Sequence, residues 1–392
     1  MSQHRALPAA LRPCLVAALL AVTGCGGDGT RAADTSATAP DTSPTQDTRV
    51  AADTAAPADT AAPADTGPAA DTADDAAAAA DTVGPGDTTP PAPLKEDYLL
   101  DDPLAYPESV TFDPVDRAFY TGSMARGNVL RTAADGAQTE LFAGNDTGEW
   151  LILGLEADPP RRRLWVCAGE ERTLVGSELW LLDLDTGERT WRVDLDAVQP
   201  GAVCIDVVVT QDGAAYVADR AFGKVYRADA SKLQVTTFAA DPLLAPGLIG
   251  ANGIAVDAQE RFLLVAKFLP PALVRVNLAS PLDVADIDLI NDTTDGFAGG
   301  VDGVTVLDGK VYLAIDAQLA QATPDPTWSY ATLAFHDLTV PNGDPVSGVS
   351  GITVAEGALY LSKSDVTRFA TGAAPELPFR VFHVPTTVFA GR

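Results

Sequence analysis

A motif that recurs six times constrains this chain more than any other feature. Each copy has a small or polar start, an alternating apolar strand, a polar turn and a second strand rich in aromatics. The first runs Glu108-Ser-Val-Thr-Phe-Asp113 with Ala118-Phe-Tyr120, and the fifth Asp302-Gly-Val-Thr-Val306 with Val311-Tyr-Leu313. The copies begin at residues 108, 153, 205, 252, 302 and 350, separated by 45, 52, 47, 50 and 48. Further strand pairs such as Leu179–Asp183 and Thr190–Val193 fill the intervals. Four short strands per repeat are the blade of a β-propeller, so residues 95–392 are expected to form an all-β, six-bladed β-propeller. Two routes could close the ring. The last strands, Phe379–Phe382 and Thr387–Phe389, complete the sixth blade, or the segment around Tyr98–Leu100 adds an N-terminal strand to it.

The preceding residues have a different character. Arg5 and Arg12 stand ahead of the apolar run Leu15–Val22, which ends in Thr23-Gly24-Cys25. The run is too short to span a bilayer as a helix and reads as a signal peptide over residues 1–25. Val22-Thr23-Gly24-Cys25 resembles the lipobox of bacterial lipoproteins, which implies lipidation of Cys25; the alternative is an ordinary secretory signal with an incidental cysteine. Gly26 follows where an Asp would imply retention at the inner membrane, so the expected location is the cell envelope, exported and lipid-anchored, with the outer membrane favoured.

Residues 26–94 contain no Phe, Trp or Tyr, and Asp-Thr occurs nine times there. With so little large apolar surface the segment cannot offset the entropy of ordering, so a disordered tether is expected. Twelve Asp against two Arg give it a charge of −10, and self-repulsion extends it.

The whole chain carries 54 acidic and 26 basic side chains, a net charge of −28. Nucleic-acid binding needs a basic patch to displace counterions, so that class is excluded as a partner. Three His and four Cys leave no His-rich or Cys-rich metal cluster, and a metal must therefore use oxygen ligands.

In a propeller the innermost strands all begin at one mouth of the central channel. The repeat starts then form a ring of Glu108, Leu153, Ile205, Asn252, Asp302 and Ser350. Glu108, Asn252 and Asp302 place oxygen donors on the axis, a set suited to a hard divalent cation, foremost Ca²⁺. The alternative is that Asn252-Gly253 and Asp302-Gly303 are turn signals and the acids are simply solvated.

Tyr106–Pro114, Gly250–Asp257 and Gly300–Val306 resemble the first, fourth and fifth blade motifs of the senescence-marker-protein (regucalcin)/gluconolactonase family, over residues 98–390. The resemblance implies a metal, often Ca²⁺, held by Glu108, Asn252 and Asp302, and hydrolysis of a lactone or related ester. It implies that the metal polarises the carbonyl while a carboxylate, here Asp302, deprotonates the attacking water. Two positions depart from the family. The third motif begins Ile205-Asp206 where relatives commonly have Asn-Asp, and Ser350 stands near where some hydrolytic relatives have His.

Loops after each second strand would wall the mouth, and Asp219 and Lys267 on these loops, together with Asp206, are expected to contact substrate. Cys167 and Cys204 fall near the same mouth on adjacent blades, so in an oxidising location they form either a disulfide or two buried thiols. The leading expectation is a monomeric, membrane-tethered, metal-dependent lactonase or esterase acting on a small molecule. The alternative is a non-catalytic, calcium-containing propeller that binds a ligand or protein partner.

Overall fold

The computed structural model describes residues 91–144, 150–170, 176–247, 249–291 and 296–390. The expected signal peptide and Cys25 lie outside the described residues, as does the tether apart from positions 91–94. The chain divides into two units, and the one containing Pro93–Arg392 carries every strand described below.

The short strand β1 (Asp97–Leu99) precedes six four-stranded units. The first is β2 (Pro107–Asp113), β3 (Ala118–Ser123), β4 (Val129–Ala133) and β5 (Gln138–Phe142). The second is β6 (Trp150–Asp158), β7 (Arg163–Glu170), β8 (Glu178–Asp183) and β9 (Arg189–Asp194). The third is β10 (Cys204–Val209), β11 (Ala215–Asp219), β12 (Lys224–Asp229) and β13 (Gln234–Ala240). The fourth is β14 (Ile249–Val256), β15 (Phe262–Leu269), β16 (Ala272–Asn277) and β17 (Ser280–Ile290). The fifth is β18 (Val304–Leu307), β19 (Lys310–Ile315), β20 (Gln318–Pro324) and β21 (Tyr330–Asp337). The last contains β22 (Val349–Ala355), β23 (Ala358–Lys363) and β24 (Arg380–Val384), with helix α1 (Val366–Thr371) inserted between its last two strands.

Within each unit successive strands pair antiparallel, and the first strands touch one another in cyclic order, β2–β6–β10–β14–β18–β22 and back to β2. The sheets are thus arranged like the blades of a propeller. The fourth and fifth units also join edge to edge through a parallel pairing of β17 with β21, which the repeat pattern does not announce.

Burial separates the strands covered on both faces from those at the rim. The central strand β3 is buried at every position, because neighbouring sheets cover both faces. The outermost strand β9, Arg-Thr-Trp-Arg-Val-Asp, alternates between half-buried and exposed, as a strand with one wet face should.

β1 pairs with β24, Tyr98 opposite Val381, and so supplies the fourth strand of the last sheet. Of the two closure routes this is the N-terminal one, and Thr386–Phe389 is a turn of 3₁₀ helix. Tyr98 packs its ring 5.2 Å from Phe119 of the first unit and 6.3 Å from Tyr360 of the last. Its hydroxyl donates to the Ala134 carbonyl at 3.1 Å, so one buried side chain ties the two ends of the ring together. No described helix is long and apolar enough to cross a membrane.

Candidate functional site

The ring residues are set by irregularities in the inner hairpins. Strand register slips between Pro107 and Val110, Ile152 and Leu155, Cys204 and Asp206, Ala251 and Ile254, and Val349 and Ile352. Glu108, Leu153, Ile205, Asn252 and Ser350 fall in these bulges, where a residue released from the ladder has its side chain re-aimed. In the fifth unit Asp302 and Gly303 instead bond to Ala314 through their backbones just ahead of β18.

The residue after the ring position is often glycine because adjacent inner strands nearly touch there. A Cβ at Gly303 would lie 2.4 Å from the Ser350 carbonyl oxygen, and one at Gly154 2.4 Å from Asp206 Cα. Asn252-Gly253 and Asp302-Gly303 are therefore close-approach positions rather than hairpin turns. Side chains stitch the same seams. The Asp206 carboxylate accepts from Val207 and Ile254 N–H at 2.9 and 3.0 Å, and Thr111 donates to Glu156 at 2.9 Å while accepting from Ala157 N–H.

Two cavities meet at this ring. The axial channel, about 240 Å³, is lined on its polar side by Glu108, Glu156, Asp206, Asn252 and Asp302. The mouth pocket, about 300 Å³, carries Arg220 and a largely apolar wall. Glu108 and Asp302 are the residues common to both linings.

Burial dominates the electrostatics. It pushes the Glu108 carboxyl well above the usual carboxylate range, repulsion from Asp302 and Asp206 adds to this, and Arg220 opposes it. Burial also raises Asp302, against the pull of Arg220 and the Asn252 amide, with Asp316 adding repulsion. Asp206 is raised to about 7 by burial, with its two backbone donors opposing and Asp302 reinforcing. Glu156 reaches about 8, again through burial first, with the Thr111 hydroxyl opposing and Asp206 and Asp158 adding repulsion. Arg220 is itself pulled down by burial, and its guanidinium lies 5.9 Å from the Phe268 ring centroid.

Asn252 is buried, its Nδ2 donates to Asp302 Oδ1, and its Oδ1 has no hydrogen-bond partner. A buried amide oxygen left without a donor, on a residue that lines the same channel as two carboxyls, is an acceptor open to a cation, so the donor chemistry of Glu108, Asn252 and Asp302 fits a hard divalent metal. Among the described residues no group of three or more His, Cys, Asp or Glu side chains is disposed to hold a metal, and any such site here depends on the amide.

The other expected residues have varied fates. Asp206 lines the channel. Asp219, expected at the substrate, is fully buried and accepts from the N–H groups of Val203 and Ala221 at 3.1 and 2.9 Å and from the Tyr226 hydroxyl at 2.6 Å. It pins the loop after β11 and lines neither cavity. The Lys267 ammonium donates to the Leu243 carbonyl at 3.0 Å and also lines neither. Ser350 donates to the Glu108 carbonyl oxygen and shares a bond with Ser364, closing the seam between last and first units. Cys167 and Cys204 form a disulfide, with Cα atoms 5.2 Å apart, and the free-thiol alternative falls. Glu156 also lines the channel, and its one signal in the sequence is a carboxylate inside the apolar inner strand Leu153–Asp158.

No protein-family model matches the sequence, and no curated protein is similar to it at sequence level. Solved structures do share the fold. The major Malassezia sympodialis allergen Mala s 1 superposes with a TM-score of 0.59 and 16% identity, over 74% of this chain and 96% of that one. A luciferin-regenerating enzyme gives 0.53 and 12%, over 72% and 91%. A gluconolactonase from Xanthomonas campestris, described as important in glucose secondary metabolic pathways, gives 0.50 and 17%, over 77% and 99%. At these identities the likeness establishes the fold.

Proposed function

We propose that the domain is a closed six-bladed propeller of gluconolactonase type that hydrolyses a lactone or related carboxylic ester. The observation that carries this reading is the position of Glu108, buried, and Asp302, half-buried, two carboxyls at the junction of a polar channel and a substrate-sized pocket, with Arg220 on the pocket side. The occurrence of a gluconolactonase among proteins of this fold is consistent with it. Glu108, Asn252 through Oδ1, and Asp302 would hold a divalent cation, foremost Ca²⁺, which when bound supplies a Lewis acid for the ester carbonyl.

The chain's own groups perform the remaining tasks. The apolar pocket excludes bulk water from the ester, which strengthens every charge interaction inside it. Arg220 presents N–H donors to the carbonyl oxygen as it gains negative charge. Asp302 accepts a proton from a water whose oxygen bonds to the carbonyl carbon. The acyl C–O bond then breaks, the departing alkoxide takes the proton back, and one ester and one water give one acid and one alcohol. Burial of Asp302 favours this, since it makes the carboxylate a stronger base than a solvated one.

We further propose that the domain is exported as a monomer and carried on a lipidated Cys25 with residues 26–94 as a spacer. A calcium assay combined with turnover of a panel of small lactones and esters tests the central reading. The expected result is one metal per chain, turnover that stops on chelation, and recovery when Ca²⁺ is restored. Stoichiometric metal without turnover would favour the non-catalytic, ligand-binding propeller instead.

A further inference from the structure

We infer that the ester or lactone taken up at the mouth is apolar rather than a sugar lactone, with its single carbonyl set against Arg220; this rests on the hydrolase reading above. The wall is hydrocarbon: Leu153, Val203, Ile205, Pro246, Ile249 and Val366 come from the second, third, fourth and last units. Among the described residues lining the pocket, the polar side chains are Glu108, Arg220, Asp302 and Thr367. Glu108 and Asp302 belong to the junction with the channel, and Thr367 is an exposed residue of α1. Arg220, half-buried, remains as the cationic donor of the pocket.

A polyhydroxylated ring in this pocket would strip water from several hydroxyls and return few partners, and each unmatched hydroxyl weakens binding. An alkyl chain loses nothing on entry, and each methylene removed from water gains about fourfold in affinity. Ile205 is a fixed part of this wall. It is 3% exposed, it sits in the bulge of the third inner hairpin, and Cys204 beside it is bonded to Cys167, so its backbone is tied to the neighbouring blade. The pocket's volume, about 300 Å³, is at the small end for ligand sites and suits one ring with a short tail.

The test compares kcat/KM for δ-valerolactone bearing a pentyl chain with that for glucono-δ-lactone, in wild type, Ile205→Asn and Val366→Ser. Alongside it, calorimetry measures binding of the corresponding open-chain hydroxy acid and of gluconate to the wild-type protein. The expected result is a preference of at least about tenfold for the alkyl lactone, reduced severalfold by either substitution. Val366 is only half buried, so its variant remains informative where Ile205→Asn fails to fold. Turnover with equal or better use of glucono-δ-lactone overturns the inference and leaves the hydrolase reading standing. Absence of turnover on any ester overturns the hydrolase reading, and the calorimetry then decides: tighter binding of the alkyl hydroxy acid supports an apolar site, and tighter or equal binding of gluconate overturns it.

Discussion

Glu156 enters the channel as a carboxyl that burial keeps protonated at neutral pH. Its pKa rises from about 4.5 in a solvated chain to about 8 in the fold, so between those values the folded state holds a proton that the unfolded state has released. Stability should then fall as pH rises through that window, and Asp206, raised to about 7, acts in the same direction. Glu156→Gln keeps an acceptor for Thr111 but cannot ionise. Denaturation midpoints measured from pH 5 to 8.5 should decline less steeply for this variant than for wild type. Equal slopes would show that Glu156 is solvated. The residue was hard to foresee because a repeat alignment shows which positions face the axis, whereas charge state depends on how much water the assembled channel retains. Asp219 and Lys267 line neither cavity for a related reason: their positions follow second strands, but backbone donors and acceptors engage their side chains.

Among the elements, the inner hairpins were the most legible, since six alternating runs with fixed offsets could pair in only one sensible way. The bulges were not. A one-residue slip leaves no mark in composition, and the glycines after Asn252 and Asp302 also fit turn signals, whereas their purpose is close passage of the next strand. The Cys167–Cys204 bond joins β7 to the first residue of β10, across 37 residues of sequence, so it fastens two sheets as well as closing a loop. Loop closure of that length is worth about 4 kcal/mol in the unfolded-chain model. The Cys167→Ala/Cys204→Ala double variant should unfold at lower denaturant by about 2–5 kcal/mol, and reductant should then have no further effect on it, whereas it should destabilise wild type. Because Cys204 adjoins Ile205, the same variant should also loosen the apolar wall of the mouth.

At the scale of the whole molecule, the ring of inner strands turns six unremarkable repeat starts into a junction between two cavities. The sequence carried the identity of that ring, including Glu108, Asn252 and Asp302, but gave no sign of the partition between an acidic channel and an apolar mouth. That partition arises from side chains on the second, third and fourth units and on α1 of the last, distant in the chain, which meet only when the ring closes. Propellers host many functions on one scaffold, so the fold shared with Mala s 1 and the luciferin-regenerating enzyme leaves the chemistry to the site. The most direct test of the central claim is kcat/KM for hydrolysis of the best lactone or ester in Asp302→Asn against wild type, with folding of the variant verified by its thermal midpoint. Loss of the proton acceptor predicts a fall of about a hundredfold or more, and a variant within about threefold of wild type would contradict the account.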